Sequence, residues 1–432
     1  MLDNIKKKDL NRYFQFTLVV IAAGVIYPLV YLRTQFQETI LAVFNMTNGQ
    51  LNNIYSLLGL VFIFGYLPSG LLSDKFSAKN LLALSLLGTA GGGFWFAQVP
   101  DHPQVQIIFA IWGFFTVFTF WSAHMKLVKM LSTDKDEGKF FGILDGGRGV
   151  VEAALGSVAV FIFAKVLGDA TNIAAKSDAL ISVIYMYSFV LLISSILVFF
   201  FVKEHDSSSS NEEEGYEPPK LKLSDLKKIL KNKYIYLQGG IVFMGYSVFW
   251  TSYYVGSFLE TNVGATSVAV GTVMGIVLWM RPVGGFLGGY LADKIGKEKT
   301  IGGALTGGVI CLILLATLPV NLNNYVFYGL AIVFGIFYYA IRGTYWSLLG
   351  KAKIDPVVMG SAIGLISLIG YFPDIVLPQM NSFLFNTFGG NGGYNAYFIA
   401  SAVLGALGVV IAGIYYKVNQ KERIENAEEE VA

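Results

Sequence analysis

The sequence predicts an all-α polytopic membrane protein with twelve transmembrane helices in two pseudo-symmetric six-helix halves. Three observations lead to this prediction. Of the 432 residues, 54% are hydrophobic and only 14% are charged, whereas soluble domains average about a quarter charged residues. Apolar stretches long enough to cross a hydrocarbon core of about 30 Å recur along the whole chain. A similar polar turn also occurs once in each half.

The apolar stretches fall into two sets of six. The predicted spans of the first set are 14–33, 51–72, 81–98, 105–131, 140–167 and 180–202. Those of the second set are 234–259, 267–292, 300–318, 325–349, 357–385 and 394–416. Each is long enough to form one membrane-spanning helix.

A long polar segment, residues 203–233, separates the two sets. Its serine run at 207–210 and glutamate run at 212–214 have the composition of a disordered linker. Its last part, around 224–231, places apolar residues at helical spacing opposite lysines, which predicts a short amphipathic helix along the membrane surface. We therefore predict an N-terminal half (1–202), this linker (203–233), a C-terminal half (234–416) and a tail (417–432).

The placement of basic residues predicts the orientation in the membrane. The lysines at 6–8, the turns with Lys75 and Lys294, the linker, and the tail with Lys417 and Lys421 all share one side. Both termini are therefore predicted to be cytoplasmic. The first apolar stretch runs too long before any small-residue cleavage site, so we expect a retained span rather than a signal peptide.

Composition also excludes several classes of function. The formal net charge of +2 does not suggest a nucleic-acid partner, and the one cysteine, Cys311, forms no disulfide within the chain. The three histidines lack metal-ligand spacing, and no nucleophile–base pair or cofactor loop is evident. We expect neither an enzyme nor a metal or cofactor.

The repeated turn follows the second span and the eighth span. Its residues are glycines followed by an aspartate and basic residues: Gly70, Asp74 and Lys75 in the first copy, and Gly289, Asp293, Lys294 and Gly296 in the second. Aligning Asp74 with Asp293 superposes Gly65 on Gly284 and Gly70 on Gly289. Such glycines let neighbouring helices approach closely, and two matching turns are typical of a duplicated transporter fold.

Both turns resemble the loop motif of the major facilitator superfamily, Gly-x-x-x-Asp-[Arg/Lys]-x-Gly-x-[Arg/Lys]. The resemblance covers essentially the whole chain, and the first copy departs from it by carrying Ser77 where the family has glycine. It implies a secondary transporter that works by alternating access. It also implies gating and structural roles for Asp74 and Asp293.

Ionisable groups at bilayer depth are functional candidates, because burying one unpaired costs about 3 kcal/mol or more. At about 1.5 Å per helical residue, Arg148, Arg281 and Arg342 fall near the middle of the fifth, eighth and tenth spans. Deep cations outnumber deep anions, and the planar fork of arginine suits carboxylate or phosphate. The predicted solute is therefore a small anion.

Two carboxylates, Glu152 and Asp374, are candidate proton carriers. Glu152 lies one turn after Arg148, so the two can pair at i, i+4, and both a structural ion pair and a functional role stay open for them. Lys126 lies nearer the cytoplasmic end of its span, where its stem can reach the headgroups, and a structural role is favoured.

Parts of the chain resemble one branch of the superfamily, the organophosphate–inorganic phosphate antiporters. The stretch from Trp121 to Lys126 resembles the fourth span of that branch, and Lys126 stands where the branch has arginine. Tyr31–Leu32–Arg33 followed by Phe36 resembles an element that carries a phosphate-binding arginine. The resemblance implies that role for Arg33.

The chain also departs from that branch. Arg148 stands at a pocket histidine position, and Tyr66 replaces a basic residue of the second span. The seventh span, around Tyr246, lacks the arginine of the branch. The resemblance therefore implies an anionic substrate class without naming an organophosphate.

We predict a monomeric secondary transporter of a small organic anion, of the organophosphate or carboxylate class, in the bacterial inner membrane. The predicted substrate-binding residues are Arg33, Arg148, Arg281 and Arg342, with Tyr66, Trp121, Lys126 and Tyr246 as secondary candidates. Coupling uses a proton or counter-transported phosphate. The alternatives are a proton-coupled transporter of a sugar or of nitrate, and a non-transporting membrane sensor of a sugar phosphate.

Overall fold

The computed structural model describes residues 2–132, 137–203, 230–351 and 359–431, and within these ranges the chain is helical and contains no strand. The predicted linker helix at 224–231 lies largely outside the described residues. So does the side chain of Asp74.

The helices follow the predicted spans of the first half. They are α1 (Leu2–Val25), α2 (Arg33–Val43), α3 (Asn48–Lys75), α4 (Ala78–Phe96), α5 (His102–Gly113), α6 (Trp121–Leu131), α7 (Glu137–Leu167) and α8 (Ile173–Phe201). A π-helical turn, Phe114–Phe118, joins α5 to α6, so these two form one span.

The second half has the same plan. Its helices are α9 (Lys233–Thr261), α10 (Ser267–Ile295), α11 (Lys297–Thr317), α12 (Asn324–Thr344), α13 (Met359–Gly370), α14 (Pro373–Phe388) and α15 (Gly390–Val431). A 3-10 turn, Tyr345–Lys351, extends α12. Eight helical stretches in the described ranges are long and apolar enough to cross a membrane by length and composition. Helices α1–α2, α3, α4 and α9 occupy the other four predicted spans.

Two of the spans are broken, and a proline follows each break. The first predicted span, 14–33, ends as a helix at Val25 and resumes at Arg33. Pro28 lies in the intervening turn, and Pro373 opens α14 after the turn that ends α13. Proline has no N–H to donate to the carbonyl of the preceding turn. The breaks place Arg33 and Asp374 in first turns of new helices.

The chain divides into two compact units. One comprises Met1–Gly215 with Thr266–Trp279, and the other comprises Tyr216–Ala265 with Met280–Ala432. The first part of α10 therefore packs within the first unit. There the buried amide of Gln35 donates to the carbonyl of Gly156 at 3.2 Å and to that of Gly271 at 3.3 Å.

The packing within each unit buries an apolar core. In the first unit α1 packs against α7 and α8, and α4 packs against α8; in the second α9 and α11 pack against α15. Large apolar side chains such as Phe64, Phe161 and Phe286 are exposed. Such side chains face lipid in a protein that spans a membrane.

Candidate functional site

Arg148 and Glu152 form an ion pair on α7, as their spacing predicts. The Nε of Arg148 donates to Oε1 of Glu152 at 2.9 Å. Both side chains are about seven-eighths buried, with 15% and 14% of their surface exposed. Among the described residues, the hydrogen bonds of Arg148 run through Nε alone, and neither Nη1 nor Nη2 has a partner there.

Tyr27 holds the guanidinium of Arg148 from one side. The Cζ of Arg148 lies 4.7 Å from the centre of the Tyr27 ring. The hydroxyl of Tyr27 donates to the carbonyl of Thr116, in the π turn, at 3.0 Å. Helices α1 and α7 approach closely here, because a Cβ at Gly24 would lie 2.5 Å from the Cβ of Val151. Because Gly24 has no side chain, α1 and α7 pack closely enough for the ring of Tyr27 to contact Arg148.

An aromatic row continues from Tyr27 into α6 and α3. Phe120 stacks on His124 at 4.5 Å, Trp121 lies 5.4 Å from His124, and Tyr66 lies 5.6 Å from Trp121, measured between ring centres. His124 is buried and lies within electrostatic range of Arg148. The structure thus brings the secondary candidates Tyr66 and Trp121 into the neighbourhood of Arg148 through His124, a residue that sequence reasoning missed.

Arg33 has a different environment. It is fully buried, and its guanidinium lies over the ring of Tyr55 at 4.7 Å. Its Nε and Nη2 donate to Oε1 of Gln37 at 2.9 and 2.5 Å, and Nη1 and Nη2 donate to Oδ1 of Asn52 at 3.3 Å. The guanidinium nitrogens of Arg33 therefore already donate hydrogen bonds to side-chain amides of the protein. The role of phosphate ligand that the resemblance implies for Arg33 stays a prediction.

Gln37 and Asn52 were not predicted from the sequence as partners of Arg33. Gln37 carries a weak signal, because an amide at i+4 can reach an arginine on the same helix. Asn52 carries no such signal, since it belongs to another helix.

Lys126 contacts the end of a helix. Its Nζ donates to the carbonyl of Ser73 at 2.7 Å, in the last turn of α3. A cation there compensates the partial negative charge of the helix C-terminus. This contact supports the structural role that the sequence favours.

Asp374 is a buried acid of the second unit. It is 3% exposed. Its Oδ1 accepts hydrogen bonds from the hydroxyl of Tyr246 at 2.8 Å and from Nε1 of Trp250 at 2.6 Å. Both donors lie one turn apart on α9, and Pro373 sets Asp374 in the first turn of α14, where the helix dipole favours an acid.

Arg342 lies in the last turn of α12, close to this acid. Its Cζ is 4.3 Å from the ring centre of Phe249 and 6.0 Å from that of Tyr246. Tyr345 and Asp374 are within electrostatic range of the guanidinium. The structure therefore joins three predicted candidates, Arg342, Asp374 and Tyr246, in one aromatic cluster.

The second turn motif requires its last glycine. Helix α10 ends at Ile295, and Gly296 has a φ of 99°, which side chains rarely tolerate. Its equivalent in the first copy, Ser77, has a φ of −56° and accepts a hydrogen bond from the backbone N–H of Asn80. Ser77 thus caps α4, which explains why the first copy lacks the glycine of the family.

Of the four glycines expected to allow close helix packing, Gly70 and Gly289 do not do so among the described residues. A Cβ at either glycine would meet no described atom within 4 Å. The expectation is confirmed at Gly65, beside Phe118, and at Gly284, where a Cβ would lie 2.5 Å from the carbonyl oxygen of Ile336. The neighbouring helix lies against the Gly65 and Gly284 faces, because residues five apart lie on different faces of a helix.

The other motif residues lie at the helix ends. Lys75 ends α3, while Asp293 and Lys294 are exposed near the end of α10. Arg281 is half-buried in α10, immediately before Pro282. The gating roles of the motif residues and the substrate role of Arg281 stay predictions.

These features define a class of protein. Apolar helices in two units, spans broken near prolines and ionisable side chains within the apolar spans are typical of membrane transporters. The family model of the Major Facilitator Superfamily matches residues 13–378, and the chain belongs to this superfamily. It is a multi-pass membrane protein with the twelve-helix fold that the sequence predicts.

Relatives of similar length support the assignment. The chain is 27% identical over 376 residues to the inner membrane protein YqcE of Escherichia coli (strain K12), covering 84% of this chain and 85% of the relative. It is 26% identical over 424 residues to YihN of the same organism, covering 96% and 97%. The crystal structure of the nucleoside transporter NupG matches the fold with a TM-score of 0.70 at 14% identity, covering 94% and 99%.

Proposed function

We propose that this transporter moves a small organic anion, of the organophosphate or carboxylate class, across the bacterial inner membrane by alternating access. One observation carries the proposal. Arg148 is fixed by Glu152 through Nε and by the ring of Tyr27 at one face, while Nη1 and Nη2 have no partner among the described residues.

This geometry suits an anion. The two terminal nitrogens of a guanidinium are coplanar and match the two oxygens of a carboxylate or phosphate. The neighbouring carboxylate lowers the cost of holding a cation at bilayer depth. An arginine already oriented in this way binds an anion with little further loss of side-chain freedom.

Arg342 offers the same chemistry in the other unit. Its guanidinium lies against Phe249, as that of Arg148 lies against Tyr27. In each unit the ring belongs to the first span of that half. We propose Arg148 and Arg342 as anion ligands, and Glu152 and Asp374 as the proton carriers if transport is coupled to protons.

A second candidate function is proton-coupled uptake of a neutral solute such as a sugar. The observation that favours it is Asp374, a nearly buried carboxylate among tyrosine and tryptophan donors. In that case the arginines would serve to position and neutralise the acids. The identity of the transported solute separates the two candidates.

The test is uptake into proteoliposomes that contain the purified protein. The panel comprises sugar phosphates, glycerol phosphate, carboxylates, nitrate and neutral sugars, each with internal phosphate, with a pH gradient, or with neither. We expect saturable uptake of an anion, and the driving condition identifies the coupling. Uptake of neutral sugars alone would overturn the anion proposal. Binding without any uptake would favour a sensor.

Two matched substitutions sharpen this test. Arg148→Lys keeps the positive charge but removes the two coplanar terminal nitrogens. We therefore expect the KM for the anion to rise about tenfold or more. Arg12→Lys makes the same chemical change in the middle of α1, beside Tyr13 and Phe140. It should leave the KM unchanged. Equal effects of the two substitutions would contradict the assigned role of Arg148.

A further inference from the structure

Asp374 receives its hydrogen bonds on one oxygen only. Tyr246 and Trp250 both donate to Oδ1. From the described part of the chain, no group donates to Oδ2, although the side chain is only 3% exposed. A nearly buried carboxylate oxygen without a donor is costly, so such atoms usually meet a ligand or a water molecule.

The two donors to Oδ1 also orient the acid. They lie at i and i+4 on α9, so both approach Asp374 from one helix. With Oδ1 held in this way, Oδ2 is the carboxylate oxygen left to accept a further hydrogen bond. It can accept a hydrogen bond from a hydroxyl or an ammonium group.

The positive charge of Arg342 favours a hydroxyl over an ammonium group as the donor to Oδ2. Arg342 lies within electrostatic range of Asp374, so an ammonium group at Oδ2 would be repelled by the guanidinium. A neutral hydroxyl avoids that repulsion. The acid group of the same solute can pair with Arg342, which lies against Phe249.

The charges of Arg342 and Asp374 also limit how many negative charges the acid group of the solute can carry. Within this cluster Arg342 supplies one positive charge and Asp374 one negative charge, so the second negative charge of a dianion has no partner there and is repelled by Asp374. A phosphate monoester is largely dianionic near neutral pH, because its second ionisation lies near pH 6. A carboxylate carries a single negative charge. The cluster therefore favours a monoanionic carboxylate over a phosphate ester.

We propose that the transported anion is a hydroxylated carboxylate of the sugar-acid type, and that Oδ2 of Asp374 accepts a hydrogen bond from one of its hydroxyls while Arg342 binds its carboxylate. This inference rests on the proposed anion transport. It makes Asp374 a residue that determines specificity. The rings of Tyr246 and Phe249 would contact the C–H face of the sugar chain.

The experiment compares three probes on the full-length protein: gluconate, hexanoate and glucose 6-phosphate. Gluconate and hexanoate have six carbons and one carboxylate, and only gluconate carries hydroxyls. Binding is measured by calorimetry in detergent, and uptake is measured in proteoliposomes. We expect gluconate to bind about tenfold or more tightly than hexanoate, and more tightly than glucose 6-phosphate.

Asp374→Asn tests the residue itself. Its amide oxygen can still accept from Tyr246 and Trp250, whereas its NH2 group cannot accept from the solute. We expect the ratio of gluconate to hexanoate affinity to fall about tenfold. Glu152→Gln removes the same charge from the other unit and should leave that ratio unchanged, whatever it does to either affinity.

The outcomes separate the two proposals. If anions are transported but wild-type protein binds gluconate and hexanoate equally, or prefers glucose 6-phosphate, the sugar-acid inference is wrong and anion transport stands. A ratio that is unchanged in Asp374→Asn, with pH-driven uptake lost, would make Asp374 a proton carrier and not a hydroxyl acceptor. If no anion binds or is transported, the proposed function itself fails. The wild-type comparison needs no variant, so it decides the solute class even if Asp374→Asn does not fold.

Discussion

The ion pair between Arg148 and Glu152 uses a single nitrogen, Nε, which lies 2.9 Å from Oε1 of Glu152. The pair therefore orients the guanidinium without using the terminal nitrogens Nη1 and Nη2. A pair that used both terminal nitrogens would compete with a bound anion. This difference separates Arg148 from Arg33, whose terminal nitrogens donate to Gln37 and Asn52. The same residue type thus keeps its terminal nitrogens unpaired among the described residues at one site and donates them to side-chain amides at the other.

The first prediction concerns Glu152. Glu152→Gln keeps an acceptor for Nε and removes a negative charge, so we expect anion exchange to persist with a KM equal to or below that of the wild type. Glu152→Ala removes the acceptor and frees the guanidinium, which should raise the KM about tenfold. The measurement is equilibrium exchange of the anion, which needs no proton gradient. Equal KM values for the two variants would rule out an orienting role for Glu152.

The second prediction concerns Arg33. Lysine at this position cannot donate to Gln37 and Asn52 together, so Arg33→Lys should destabilise the protein by about 2 kcal/mol or more. The measurement is the thermal unfolding midpoint in detergent. We expect the folded fraction of the variant to keep the wild-type KM for the anion. A KM that rises with no loss of stability would instead support a substrate ligand.

The third prediction concerns the contact of α1 with α7. A Cβ at Gly24 would overlap Val151 and approach the carbonyl oxygen of Arg148 to 3.2 Å. We therefore expect Gly24→Ala to destabilise the protein by about 1–3 kcal/mol, because neither backbone can move away cheaply. Gly91→Ala is the matched control on α4. A Cβ there meets no described atom within 4 Å, so alanine should be neutral or stabilising by up to about 1 kcal/mol. Thermal unfolding of both variants provides the comparison, and similar midpoints would show that the α1–α7 contact tolerates a methyl group.

The fourth prediction concerns Lys126. Lys126→Met keeps the stem but removes the hydrogen bond to the carbonyl of Ser73, so stability should fall by about 1 kcal/mol. Lys126→Arg should retain the stability of the wild type. The KM for the anion should stay the same in both variants, because Lys126 contacts the end of α3. A large increase of KM in Lys126→Met would assign Lys126 to the solute.

Much of the fold follows from the sequence because the bilayer imposes simple rules. Its thickness sets the length of each apolar stretch. The glycine requirement at Gly296 is likewise local, because it depends on the backbone angle of one turn. The breaks near Pro28 and Pro373 are equally local. The predicted first span nevertheless continued through Pro28, because its apolar residues run on across the break.

The site was predictable only in part. The pair of Arg148 with Glu152 follows from one helical turn of spacing, and the position of Arg342 within an apolar span follows from counting residues. The partners of Asp374 do not follow, since Tyr246 and Trp250 lie 128 and 124 residues away in the chain. Hydropathy cannot tell a tyrosine that donates to a buried acid from one that packs against lipid.

The sequence by itself determined that the chain crosses the membrane as helices, carries a duplicated turn and has ionisable residues within its apolar stretches. These properties depend on the length of each apolar stretch, on helical periodicity and on residue type. All three can be read from the local sequence. Only the tertiary structure decided what each charge contacts: a ring and one carboxylate for Arg148, two amides for Arg33, and two donors on one oxygen for Asp374. Those contacts depend on which helices become neighbours. Close packing at positions such as Gly24 and Gly284, where even a Cβ would overlap the neighbouring helix, fixes that arrangement.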